Sequence, residues 1–291
     1  METKFTEKGF FNQHLKVQMD NSNINNGRNA DVFSQILVGN VKSSLMDYLL
    51  NLGYIRLNDT KSIGMFNELN IAANKNKFKK YEEIVDNSTL FLPKKFKKIK
   101  KSLEDCLEYR QSIRTFSPYQ MSLKDFSTLC KYSFGQSNRT ANYNGIVATS
   151  RYYASGGGLY PVQVYIYANN VSGVKKGIYR YQLNTHSLYP INEHFDTSKF
   201  LQYGNFDFDN FNFLVMYEYD INKTYLKYGE LSLLNVFVEA GIISHNFELV
   251  CSGLDFSACQ IAGFDKPYAD AALNCDGVNS HVIFTNICGK R

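Results

Sequence analysis

No Cys-x-x-Cys motif and no paired Cys/His spacing occurs anywhere in the chain; its six cysteines, at 106, 130, 251, 259, 275 and 288, are scattered. That excludes a zinc framework and a disulfide scaffold, and it fits a reducing compartment. The first residues, Met-Glu-Thr-Lys-Phe-Thr-Glu-Lys, lack the apolar core of a signal peptide. The longest apolar run, Leu231 to Ile243, is interrupted by Ser232, Asn235 and Glu239, and it falls short of the ~20 residues a membrane span needs. A cytoplasmic protein without a membrane partner is expected. Tryptophan is absent as well, while 21 Tyr and 22 Phe are present, a composition suited to strands and large interfaces.

What is there begins with ordinary globular proportions, 44% apolar and 20% charged in 291 residues, enough for one large domain or two small ones. The net charge of +5 is unevenly placed. Residues 1–110 hold 18 Lys+Arg against 13 Asp+Glu, and residues 111–291 hold 14 of each. The densest part is Lys94-Lys-Phe-Lys-Lys-Ile-Lys-Lys101, with six lysines in eight residues. Such a strip reads as a docking surface for an acidic peptide or a nucleic acid, or as the solvated face of a helix or linker. The solvated face is the preferred reading, and no nucleic-acid partner is expected.

The chain divides into an N-terminal appendage, 1–100, with a possible docking role, and a main domain, 101–291. In the appendage, residues 19–30 are Asn-rich and favour loop. Val41 to Leu52 shows helical spacing with Gly53 as a stop. The main domain opens with a helix ending near Arg110. Ser122 then caps a second amphipathic helix that stops at Gly135. Residues 162–168, 177–182, 211–217 and 281–288 alternate as strands. Glu230 to Val250 is apolar on nearly all sides, so it belongs to the centre of the fold or to a subunit interface. Mixed helices and strands predict an α+β fold, an antiparallel or mixed sheet covered by helices around a central buried helix.

Three stretches carry chemistry. In Arg110-x-Ser112-x-Arg114, extended backbone would turn two guanidiniums and a hydroxyl to one side, suited to a phosphate and the polar edge of a planar ligand. Ser155-Gly156-Gly157-Gly158 lets backbone take positive φ and lets a ligand approach without Cβ obstruction, and the strand at Val162 fixes its direction. Lys227-Tyr228 pairs an ammonium with a phenol.

Read together, these stretches resemble the flavin-dependent nitroreductase superfamily, and within it the SagB-type azoline dehydrogenases, or thiazole/oxazole oxidases, over roughly residues 105–289. The order matches: Arg110-Ser112-Arg114-Phe116, then Ser155 to Pro161, Gly177-Ile-Tyr-Arg-Tyr181 with His186-Ser-Leu188 behind it, and Lys227-Tyr228. Glu239-Ala-Gly241, His245-Asn246, Gly253-Leu254 and Ala262-Gly263-Phe264 follow. The resemblance implies a nitroreductase-like fold binding FMN through Arg110, Ser112, Arg114 and Ser155 to Gly158. Ala262 and Gly263 would approach from the other side, and Lys290 and Arg291 are either further phosphate ligands or a solvated basic terminus. It also implies a homodimer, a peptide substrate of ribosomal origin and a cyclodehydratase as partner.

The implied reaction aromatises a thiazoline or oxazoline ring. It removes a proton from one carbon and a hydride from its neighbour, with FMN as hydride acceptor and oxygen as the terminal oxidant. Tyr228 would be the base. With a reference pKa near ~10, a tyrosine needs a neighbouring ammonium to act at neutral pH, which Lys227 could supply. Adjacent residues share no face of a helix or strand, so the pair works together only in a turn or helix start.

The chain departs from the family pattern at Ala154, where a proline is usual, and at Gln163, where an acidic residue is common. It departs again at Gly229-Glu-Leu-Ser-Leu-Leu, where an Arg-rich stretch often follows. Two other readings stand beside the dehydrogenase: a nicotinamide-fed flavin reductase of nitro compounds, quinones or dehydrated peptide residues, and a non-catalytic scaffold subunit of a peptide-modifying complex.

Overall fold

The computed structural model describes residues 82–143, 146–201, 206 and 208–291. The expected loop at 19–30 and helix at 41–52 lie outside these residues. The described chain forms β1 (Leu90–Phe91), α1 (Leu103–Tyr109), α2 (Leu123–Phe134), β2 (Gln136–Tyr143), β3 (Ile146–Arg151), β4 (Val162–Ala168), β5 (Gly177–Gln182) and β6 (Ser187–Asn192). It continues through α3 (Thr197–Phe200), β7 (Phe213–Asp220), α4 (Tyr225–Tyr228), α5 (Leu231–Gly253), β8 (Phe256–Ile261), α6 (Lys266–Ala272) and β9 (Ser280–Lys290).

Seven strands make one sheet in the order β1-β6-β5-β4-β7-β9-β8, every pair antiparallel, while β2 and β3 form a separate two-stranded ribbon. The strands at the centre alternate between two cores. Val162, Val164, Ile166, Val215 and Tyr217 face the layer built by α2 and α5, and Tyr165, Tyr167, Leu214 and Met216 face the layer built by α3 and α6. This is the α+β fold expected, with antiparallel pairing throughout.

Local chemistry explains the helix ends. Ser102 caps α1 in a reciprocal capping box with Asp105, and the Ser122 side chain accepts from the Asp125 amide at the start of α2. The amide of Gly135 closes α2 on the Lys131 carbonyl. α5 is long and apolar enough to cross a membrane by length and composition alone. It is instead the core helix: Val236, Ala240, Ile243, Phe247 and Cys251 are buried against the sheet.

The segment before α1 is tied to the β5–β6 hairpin. Leu92 is buried and donates its amide to the His186 carbonyl. The Gln182 side chain both accepts from the Ile84 amide and donates to its carbonyl, as a strand partner would. Ser127 donates its single hydroxyl proton to Pro93 O at 2.6 Å, so at His186 Nε2, 2.8 Å away, it accepts. His186 is therefore the neutral Nε2–H tautomer, and its Nδ1 accepts from the Tyr181 hydroxyl at 2.8 Å. Burial first, then the ammoniums of Lys131 and Lys94, push its pKa down to about 4.

Candidate functional site

The Ser155–Gly158 loop leads into β4, and its conformation is set from below. The Ser155 hydroxyl accepts from the Tyr160 amide at 2.9 Å and donates to Glu239 Oε2 on α5. The other oxygen of Glu239 accepts from the Val162 amide. Glu239 is 2% exposed, and burial raises its pKa, opposed by its hydrogen bond to Ser155 and the charge of Arg151. The Ser155 side chain is thus used within the loop, which leaves the glycine backbone to face outward.

Gly157 and Gly158 both have positive φ, and nothing lies within 4 Å of where a Gly158 Cβ would sit. Gly156 rests against the Asn235 side chain of α5. Tyr160 also takes positive φ, rare for a bulky residue. It is braced by the Arg151 guanidinium 4.7 Å over its ring and by the ring of Tyr153 at 5.5 Å. A rigid frame therefore presents an exposed, side-chain-free strip of backbone.

Lys227 and Tyr228 end the one-turn helix α4, where Gly229 at φ 54 turns the chain into α5. The pair thus closes a helical turn rather than starting one, and the chain just before it is tied to the start of β4. Lys223 Nζ donates to the Pro161 carbonyl at 3.0 Å, and Tyr219, at the end of β7, pairs with Val162. Tyr228 is half-buried. The residues that depart from the family's Arg-rich stretch start α5 instead: the Ser232 hydroxyl donates to the Gly229 carbonyl at 2.6 Å and receives Tyr219 OH at 3.3 Å.

Arg110 and its neighbours lie elsewhere. Arg110 is the C-terminal cap of α1, and its Nη1 is 3.3 Å from Glu248 Oε2. The segment then runs along the outer edge of β8, with the Ile113 amide on Ala258 O, and crosses to the end of β9, where the Ser117 amide meets Lys290 O. Phe116 anchors the crossing, since a Cβ on Gly289 would come within 2.5 Å of its ring. Ser112 and Arg114 are exposed. Ala262 and Gly263 form an exposed turn after β8, with open space around Gly263. Lys290 and Arg291 share a cavity with Lys101 and Tyr109, and the Lys290 ammonium donates to Asp255 O and lies 4.9 Å over the Phe256 ring.

Within one chain these groups fall into two separate clusters, candidate half-sites. Glu239 holds the glycine loop and Glu248 holds Arg110, nine positions apart on α5. That separation is ~14 Å along the axis and half a turn around it, so the half-sites face opposite sides of the helix. Along the same stretch α5 exposes apolar surface, with Phe237 at 55% and Val238 at 53%, and Val238, Gly241, Ile242 and Leu249 line a groove with Tyr152 and Tyr153.

Sequence reasoning assigned no role to Glu248 or Gln260. Glu248 is 3% exposed; one oxygen meets Arg110 and Gln260, while Oε1 has no hydrogen-bond partner among the described residues. The available signal was that Glu239 and Glu248 are the only acidic residues within α5. Two guanidiniums, an orphaned buried acceptor and open glycine backbone suit a ligand that carries a phosphate, hydroxyls and a flat ring edge, as FMN does.

A profile of the Nitroreductase family matches residues 107–290. A protein of Methanocaldococcus jannaschii, provisionally named a nitroreductase, is 22% identical over 166 residues, covering 56% of this chain and 79% of its own. A Ralstonia eutropha crystal structure, also provisionally a nitroreductase, superposes with TM-score 0.57 at 20% identity over 71% of this chain and 91% of that one. A chain of the Escherichia coli microcin synthetase McbBCD complex, solved with truncated pro-MccB17 bound, superposes with TM-score 0.51 at 18% identity, over 86% of this chain and 98% of that one. These structures share the fold. With most of the main domain matched, from the end of α1 to the end of β9, the chain belongs to the nitroreductase family.

Proposed function

We propose that the protein is an FMN-dependent dehydrogenase that oxidises thiazoline or oxazoline rings to azoles on a ribosomally made peptide. The observation that carries this reading is the tether between Lys223 and Pro161, which joins the segment leading into Lys227-Tyr228 to the chain between the Ser155–Gly158 loop and β4. When bound, FMN supplies a two-electron acceptor at a flat ring edge. The chain's own residues do the rest.

Arg110, Ser112 and Arg114 hold the phosphate and polar edge, with Lys290 and Arg291 as further candidates. The amides of Gly156 to Gly158 and of Ala262 and Gly263 line the ring. Tyr228, as its phenolate, removes the ring proton, and the Lys227 charge favours that phenolate at neutral pH. The likeness to a chain of a peptide-bound synthetase complex supports a peptide substrate and a partner in a peptide-modifying complex, and the azoline reading makes that partner a cyclodehydratase. The appendage expected over residues 1–100 then helps docking, with its last part, β1 and Leu92, joined to the main sheet, and the protein works in the cytoplasm.

The same geometry supports a homodimer. The half-sites of one chain face away from each other, and a two-fold partner packed on the apolar stripe of α5 would bring the glycine loop of one copy to the Arg110 segment of the other. Purified protein should carry flavin visible by absorbance and released on heating. A colourless protein that cannot be loaded with FMN would leave only the scaffold reading, and turnover that requires a nicotinamide donor would favour the reductase.

A further inference from the structure

The lysine strip from Lys94 to Lys101 has neither helix nor strand, and its apolar members turn inward. Phe96 meets the rings of Tyr132 and His186 edge-on at 6.1 and 5.3 Å. Ile99 sits on Gly253, where a Cβ would come within 2.8 Å of it. Lys97 is paired with Asp125, and Lys101 with Asp255. Lys94, Lys95, Lys98 and Lys100 remain exposed, with no ion pair among the described residues. The segment is pinned from beneath while four like charges are held together with no ion pair among the described residues, a local repulsion that a partner of opposite charge would relieve.

Toward the Ser155 loop the charge continues, and at the opposite end Lys101 shares a cavity with Lys290 and Arg291. Lys131 lies 5.9 Å over the Phe96 ring and 5.7 Å over the Tyr152 ring, and Tyr152 is three residues before Ser155. At the other end the strip meets α1, whose exposed Glu104, Asp105 and Glu108 would repel an acidic chain. The equal charges of residues 111–291, 14 of each sign, give no broad basic face of the kind a nucleic acid needs. The strip's one aromatic residue, Phe96, is turned inward and offers no stacking platform.

We propose that Lys94, Lys95, Lys98 and Lys100, continued by Lys131, form a docking strip for an acidic segment of the peptide substrate, so that the rest of the peptide is delivered toward the Ser155 loop. This rests on the peptide reading above and names how that substrate is held. Docking at one segment raises the effective concentration of the remainder at the site without any contact to the reacting ring.

The test uses the full chain and a fluorescein-labelled Gly/Ser peptide carrying a block of glutamates, followed by anisotropy at low and at physiological salt. Two charge-matched variants are compared, Lys95→Glu with Lys98→Glu on the strip, and Lys175→Glu with Lys176→Glu far from it. The strip variant should bind about tenfold more weakly and lose most of its salt dependence, while the distant variant changes by less than about twofold. Equal weakening by both variants, equal binding of a peptide with glutamines in place of the glutamates, or tighter binding of an oligonucleotide of the same charge would overturn the proposal. Flavin content is read on the same samples. Missing flavin in the unmodified protein counts against the dehydrogenase and leaves the peptide comparison to decide the strip on its own.

Discussion

Ser155 and Glu239 are joined by a hydrogen bond that links the loop before β4 to the middle of α5, and the same serine oxygen accepts the Tyr160 amide. One side chain thus fixes both ends of the glycine turn. Ser155→Ala should leave a buried carboxylate oxygen and an amide without partners, costing roughly 1–3 kcal/mol. A lower melting temperature together with weaker FMN binding is expected. Ser155→Thr keeps the hydroxyl and should recover part of both, and an alanine variant unchanged in melting and flavin affinity would contradict the role.

Arg114 is exposed at the edge of β8, and Arg110 is held by Glu248. If they serve the phosphate, Arg114→Ala should weaken FMN binding by about 1.5–3 kcal/mol, the worth of a charge-assisted hydrogen bond. Riboflavin, which lacks the phosphate, should be much less affected. Titration by flavin fluorescence with both ligands separates these outcomes, and equal losses for the two would move Arg114 away from the phosphate.

The apolar stripe of α5 should be covered by a second copy. Val238→Glu with Ile242→Glu places two charges there and should convert a dimer to a monomer in light-scattering chromatography, with loss of bound flavin. A dimer that persists with both charges in place would exclude this face.

His186 gives a pH signature of stability. Its folded-state pKa of about 4 lies below the reference near 6.5. Between those values the unfolded chain binds the proton and the folded one does not, so stability is fully present above the upper value and falls as pH drops toward the lower. The loss is on the order of 3 kcal/mol. A His186→Gln variant should start lower, because the Ser127 and Tyr181 hydrogen bonds are disturbed, and should lose less between pH 6.5 and 4 in denaturant titrations.

Much of this architecture was readable in the chain. Ser122 with Asp125 and the stop at Gly135 announced α2, and the alternation at Val162–Ala168 announced β4. The β2–β3 ribbon was not legible, because Gln136 to Tyr143 is polar with no alternation to read. β6 was hidden by Pro190 inside a strand, and α6 by its shortness behind Asp265. The motif residues were visible as types and order. Their division between opposite faces of α5 was not, since it depends on which loop each of two glutamates holds.

The central claim is tested most directly by giving the FMN-loaded protein a peptide that carries a thiazoline, in air and without nicotinamide, and following the peptide mass. The account predicts loss of two hydrogens per ring. Tyr228→Phe should keep its flavin and lose about 10²–10⁴-fold in rate, the usual worth of a positioned general base. A yellow protein that leaves both thiazoline and oxazoline peptides unchanged, yet consumes NADPH with a nitro compound, would contradict it.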